Sequence, residues 1–410
     1  MLGARGADLA HENRGTGGDR PASTLLRAAL MSRNLTFRHG FLAVSFLLGA
    51  AACSSGAATP PASPESDAGI GADSGSIEAG DAGTEALGAP IVAPADQWTW
   101  VDFPESRCLK GSSTGIGVRL RPGSRRLVLY MMGGGGCSTA ACWSAAPGAQ
   151  NLDGYAKAEF DKEDLKTNLA VFDTSPGTAN PFADANMVMV PYCTGDAHTG
   201  TQTVELDVDG TKKTTYFYGA RNMEAFLRRL APTFPDLERV FFVGTSAGGA
   251  GVKYNYSRVK KAFGKRIDSI VDSAPGIDTP ADLANAREKA ALYGAVVPGC
   301  PTCQVQADVY AYNRSLDPTS RYAFLSFRYD GTTKNDLTLG QFSAALQDYV
   351  KELDKDPEAG ALIVDNPITD PLHVVLTRPA LTSVRAEINA FLKEVADGPS
   401  FPPSKLVPVQ

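Results

Sequence analysis

Residues 237–259 read LERVFFVGTSAGGAGVKYNYSRV. Within them, 238–243 (ERVFFV) are rich in β-branched and aromatic side chains and predict a buried strand. Gly244-Thr245-Ser246-Ala247-Gly248 follows at once, and 250–261 hold no proline and adequate helix formers. Strand, G-x-S-x-G, helix is the setting of a nucleophile elbow. The turn is tight, so Gly244 and Gly248 let the strand and helix backbones pass close together. Ser246 is then raised to the top of the sheet with its hydroxyl open to a substrate. The Ala247 amide aims at the same space and can donate to an oxyanion. The pattern by itself also fits a glycine-rich turn with a serine cap; the flanking strand and helix favour the elbow.

The elbow sits in a chain of 410 residues with net charge −6, which allows one large α/β domain and offers no basic patch for nucleic acid. The first ninety residues differ in kind. Met31 opens a positively charged stretch, and residues 40–52 (GFLAVSFLLGAAA) form an apolar run too short for a comfortable membrane span. Met31 reads as the true start, with 1–30 an over-extended frame or a disordered arm. Residues 31–53 read as a signal peptide ending in a lipoprotein-like site. Cys53 after Ala51-Ala52 would then be lipidated, against the alternative of plain secretion with cleavage nearby. Residues 54–89 are Ser/Gly/Ala/Pro/Asp-rich without an aromatic residue, so they predict a flexible acidic tether. The expected location is exported: a lipid-anchored protein at the membrane or cell surface, or a secreted one. The anchor would be the chain's sole membrane contact.

Cysteine usage agrees with export. Setting Cys53 aside leaves Cys108, Cys137, Cys142, Cys193, Cys300 and Cys303, an even number that suggests three disulfides. The competing thought is a metal held by Cys300-Pro-Thr-Cys303, but no second C-x-x-C and no nearby histidine completes a zinc site.

The folded domain is expected over 90–410. Residues 98–103 form an apolar lead-in. Residues 116–120 (IGVRL) and 126–132 (RLVLYMM), joined by Arg121-Pro-Gly-Ser-Arg, read as a hairpin. The second of these empties into Gly133-Gly134-Gly135-Gly136-Cys137. Four glycines at a strand end leave backbone N–H groups unshielded, as an oxyanion hole requires, though the same run also fits a turn with no role. Further strands are read at 186–191, 214–218, 266–272 and 322–329. Helices are read at 221–230, 280–293, 305–314, 339–353 and 381–395. Alternating strands and helices predict a mostly parallel sheet with helices on both faces.

A serine needs a base to take its proton, and imidazole suits the task because its pKa lies near neutrality. The folded domain holds two histidines, His198 and His373. In this topology the order along the chain is serine, acid, histidine. His373 fits that order and His198 does not. The acid must follow a strand between the two. Asp330, after 322–329, is preferred; Asp272, ending the strand after the elbow helix, stands second. Asp278, Asp336 and Asp370 are weaker candidates. Its task is to fix the imidazole tautomer and stabilise the imidazolium.

Taken together, Arg125 through the glycine run to Cys137, Cys142, Asn186-Met-Val-Met-Val-Pro-Tyr-Cys193, Gly244 through Gly251, Val271-Asp272-Ser273 and the late His373 resemble the pectin acetylesterase and Notum family of serine esterases. The resemblance covers about residues 100–395. It implies an α/β-hydrolase fold and ester hydrolysis without metal or other cofactor. It implies a triad of Ser246, Asp330 and His373, with oxyanion donors on Gly134, Gly135 and Ala247. It suggests disulfides Cys108–Cys193 and Cys137–Cys142, which leaves Cys300–Cys303 as a third. The expected partner is an acylated polysaccharide such as pectin, met by a monomer. Removal of a fatty acyl group from protein or lipid, and glycan binding without catalysis, are the rival readings. Four glycines beside the acyl site supply donors but no apolar wall, which predicts short acyl groups. Trp143, Tyr192 and the 280–305 insertion are the candidates to enclose a longer chain.

Overall fold

The computed structural model describes residues 87–409, apart from 147, 279–290, 295–296, 304, 335 and 378–381. The leader, Cys53 and nearly all of the tether lie outside the described residues, as does most of the predicted helix at 280–293.

The elements in chain order are β1 (Thr99–Phe103), β2 (Thr114–Arg119), β3 (Arg126–Met131), α1 (Lys157–Lys162), α2 (Leu165–Asn168), β4 (Asn186–Val190), β5 (Gln202–Val208), β6 (Thr211–Phe217) and α3 (Gly219–Thr233). They continue with β7 (Arg239–Thr245), α4 (Ala247–Phe263), β8 (Arg266–Asp272), α5 (Gln306–Leu316), β9 (Tyr322–Phe327), α6 (Leu339–Leu353), β10 (Ala359–Asp365), α7 (Thr382–Asp397) and β11 (Lys405–Pro408). Nine strands form one sheet in the order β1-β2-β4-β3-β7-β8-β9-β10-β11, and β5 and β6 form a separate antiparallel ribbon. From β4 to β11 every pairing in the large sheet is parallel; β1–β2 and β2–β4 are antiparallel.

The pleat sorts the core into two layers. Leu127, Leu129, Val240 and Phe242 face one way and pack with Phe226, Val252 and Phe342 of α3, α4 and α6. Val128, Tyr130, Phe241 and Val243 face the other way and pack with Ile388, Phe391 and Leu392 of α7. Strands buried on both faces read as continuous apolar runs, which is why RLVLYM and VFFVG carry no alternation.

The expected hairpin of 116–120 and 126–132 does not form. β2 and β3 are separated by β4, which pairs with both. The Pro122–Gly123 turn instead steps over one strand position, about 10 Å, which the short loop spans easily. The helix read at 221–230 is longer at both ends: α3 runs from Gly219 through Pro232 to Thr233.

Candidate active site

The centre of the sheet delivers the serine. β7 runs into Ser246, whose φ of 54° and ψ of −124° are unusual for a side-chain-bearing residue. A Cβ on Gly244 would stand 2.2 Å from the Gly248 carbonyl oxygen, and one on Gly248 would stand 2.1 Å from that of Met131. Only glycine fits at either place, so the elbow reading has a steric cause. The Ser246 amide donates to the Asp272 carbonyl at 2.8 Å, and its carbonyl accepts from Gly249 at 2.9 Å.

The glycine run follows β3 and lies beside the elbow. Among the described residues no acceptor takes the amides of Gly134, Gly135 or Ala247, the three expected oxyanion donors. Their carbonyls and flanks are held instead. The Gly134 oxygen accepts from Gln150 at 2.8 Å, and the Gly136 amide donates to Gly148 at 3.2 Å. Gly135, at φ 78°, has the Gly148 oxygen 2.1 Å from where a Cβ would stand. Beneath the run, the Tyr192 hydroxyl donates to the Gly135 carbonyl at 2.9 Å and accepts from the Ala197 amide at 2.8 Å. His198 Nε2 donates to the Met132 carbonyl at 2.8 Å, and burial pushes this imidazole down to about 4. His198 is therefore a neutral prop under the glycine run. Asp196 nearby is buried and pushed up to about 6 by loss of solvation, while accepting from Thr194, Gly200 and Gly219.

The candidate base arrives from the other side. His373 Nδ1 lies 2.8 Å from Asp330 Oδ2, the carboxylate being fully buried and the imidazole 18% exposed. The Asp330 Oδ1 atom accepts the Thr332 and Thr333 amides at 2.8 and 2.9 Å. With Nδ1 bonded to a carboxylate, the supported tautomer has a basic Nε2. Asp272, the alternative acid, is bonded to the loop behind the imidazole. Its carboxylate accepts the amides of Val375 and Leu376 at 3.0 and 2.7 Å.

Ser246, His373, Gly133, Gly134 and Gly135 line one cavity of about 740 Å³. Met132, Leu165, Ala146, Ala149 and Val374 supply its apolar wall, and Gln150, Glu163, Asp164 and Thr332 its polar wall. No lysine or arginine is among the described lining residues. Trp143 and Tyr192 do not line it. Tyr192 is buried under the glycine run, and Trp143 donates to the Thr215 hydroxyl at 3.0 Å with Lys110 and Lys213 over its ring.

Three disulfides join Cys108 to Cys193, Cys137 to Cys142 and Cys300 to Cys303. The last bond occupies both cysteines that a metal would have needed. The props Tyr192, His198 and Asp272 were visible in the sequence as a YCTGDAH run and a strand end, but no spacing rule assigned them these tasks.

A parallel sheet with a serine elbow at its centre, and a carboxylate-bound histidine on a shared cavity, defines an α/β-hydrolase fold. The pectinacetylesterase family model matches residues 98–299. Curated relatives include the palmitoleoyl-protein carboxylesterase Notum of Schmidtea mediterranea, 38% identical over 113 residues. That match covers 25% of this chain and 20% of the relative. The human Notum is 29% identical over 161 residues, covering 38% of this chain and 30% of that one. The matches thus span less than a third of either relative's length. The solved structure of the Wnt deacylase Notum from Drosophila matches the fold with a TM-score of 0.50 at 20% identity, covering 70% of this chain and 88% of that one.

Proposed function

We propose that this chain is an exported serine carboxylesterase that removes short acyl groups, foremost O-acetyl groups on a cell-wall polysaccharide such as pectin. The observation that carries the reading is the strained Ser246 on one cavity with the Asp330-bound His373. Ser246 Oγ attacks the ester carbonyl carbon while His373 Nε2 takes its proton. The tetrahedral oxyanion is held by the amides of Gly134, Gly135 and Ala247. The bond to the leaving oxygen breaks and His373 returns the proton to the departing alcohol. Water then attacks the acyl-enzyme with His373 again as base, releasing the carboxylic acid and restoring Ser246.

The cavity favours a small acyl group. A buried CH₂ contributes about 0.8 kcal/mol only against apolar walls, and here Glu163 and Asp164 share the lining. The second reading, a fatty-acyl deacylase, is favoured by the Notum relatives, which are palmitoleoyl-protein carboxylesterases. The test is kcat/KM across p-nitrophenyl acetate, butyrate, octanoate and palmitate. A maximum at acetate or butyrate supports the reading; one at octanoate or longer overturns it and promotes the deacylase. No turnover of any ester leaves a glycan-binding role.

Export is supported by the three disulfides. We also infer a lipid on Cys53 and a tether over 54–89; the mass of the mature N-terminal peptide tests both.

A further inference from the structure

β8 ends in two consecutive buried residues, Asp272 and Ser273, that do more than close a strand. The Asp272 carboxylate accepts the Val375 amide through Oδ1 at 3.0 Å and the Leu376 amide through Oδ2 at 2.7 Å. The Ser273 hydroxyl donates to Asp272 Oδ1 at 2.9 Å and accepts the Val374 amide at 3.0 Å. All three amides that follow His373 are thus bound by two neighbouring side chains. The Asp272 carbonyl accepts the Ser246 amide at 2.8 Å, and the Ser273 amide donates to Leu325 of β9 at 2.8 Å. Val374 sits at φ 64° and Ser273 at φ 55°. A β-branched residue in the left-handed region persists only where its surroundings hold it there. Burying a carboxylate is also costly, and burial raises Asp272 to about 6 against the hydrogen bonds it accepts. A strained residue beside the base and a buried charge bonded to the same loop are two separate costs, met at one place.

We propose that Asp272 is a positioning residue: with the Ser273 hydroxyl it sets the loop that presents His373 and registers that loop against the backbone of Ser246. Asp272 acts through the loop, its carboxylate being bonded to the Val375 and Leu376 amides and to the Ser273 hydroxyl. The proposal rests on the assignment of Ser246 as nucleophile and His373 as base.

The test uses the full chain with p-nitrophenyl acetate, in parent protein and in Ser246→Ala, Asp272→Asn and Ser273→Ala, with kcat, KM and the pH profile of each. Misplacing a base by about 1 Å costs on the order of 10²-fold, so Asp272→Asn should lose about that in kcat with KM nearly unchanged. It also removes a negative charge near the imidazole, so the acidic limb of the profile should move to lower pH. Asp330, Glu163 and Asp164 remain in place, so the movement reports Asp272. Ser273→Ala keeps the charge; it should lose about tenfold in kcat with the limb unmoved. Asp272→Asn within threefold of the parent, with an unmoved limb, overturns the proposal. If that variant does not fold, full activity in Ser273→Ala overturns it. Activity surviving in Ser246→Ala instead overturns the nucleophile assignment on which the proposal stands.

Discussion

The two sides of the candidate site are held by different means. On the oxyanion side, after β3 and β4, the glycine run and its support are tied by two disulfides. Cys108–Cys193 spans 85 residues and Cys137–Cys142 spans five. Neutral groups finish the job, with the Tyr192 hydroxyl and the His198 imidazole each bonded to a carbonyl of the run. On the base side, after β8, β9 and β10, no disulfide occurs among the described residues between 306 and 409. Buried carboxylates take that role: Asp330 on the imidazole and Asp272 on the amides behind it. The oxyanion side must present bare amides and has no room for side chains, so its shape comes from covalent closure and glycine. In the proposed mechanism the base side must carry a proton, and its shape comes from charge. The two halves should therefore fail under different insults.

Ser246 belongs to both halves, and its loss should be the largest effect. Ser246→Ala should lower ester hydrolysis by on the order of 10⁴–10⁶ with circular dichroism unchanged; activity within tenfold of the parent would sink the serine mechanism. Next comes the base side. Asp330→Asn should cost on the order of 10³–10⁴ in kcat/KM, well beyond Asp272→Asn, because one orients the imidazole and the other its loop. The reverse ranking would show that the two carboxylates have been assigned the wrong way round.

The oxyanion side should respond to pH through His198. Its folded pKa of about 4 lies below the ordinary 6.5, so the unfolded chain takes up a proton that the native one refuses. The stability it contributes is present above 6.5 and is lost as pH falls towards 4, on the order of 3 kcal/mol in all. Asp196 and Asp272 are raised to about 6 and act in the opposite sense, their contribution being lost as pH rises through 6. The comparison is therefore between parent and His198→Gln, by denaturant unfolding at pH 7.5 and 4.5. The parent should lose more stability on acidification than the variant; equal slopes would remove His198 from the ledger of that half.

The remaining effects concern the disulfides themselves. Loop closure over 85 residues corresponds to about 4–5 kcal/mol, and over five to about 2. Serine replacement of the Cys108–Cys193 pair should thus lower the unfolding free energy more than replacement of Cys137–Cys142. Thiol titration of unfolded, unreduced protein should find no thiol among the six domain cysteines. Two or more would contradict the bonding described.

How much of this was legible beforehand follows the range of each interaction. The elbow was readable because strand, turn and helix are adjacent in sequence and sterics demand glycine at 244 and 248. Chain order singles out His373 over His198, and His373 is the one that lines the cavity with Ser246. The position of β3 was misread, because a turn of a few residues looks the same whether it closes a hairpin or steps past β4. The task of Asp272 was hidden because its partners lie more than a hundred positions away. Asp272 and Asp330 look alike as strand-end carboxylates; only the contacts separate the one bonded to the imidazole from the one bonded to the loop behind it. Tyr192 seemed a pocket wall, yet an aromatic beside a glycine run packs under it when the run has no side chains of its own.

The central claim, that Ser246 is the nucleophile, is tested most directly by covalent trapping. The protein is incubated with diethyl p-nitrophenyl phosphate, digested, and its peptides are weighed as hydrolytic activity is followed. The account predicts one diethyl phosphoryl group, on Ser246, rising in step with the loss of activity. Labelling of another residue alongside that loss, or full activity with Ser246 fully labelled, would contradict it.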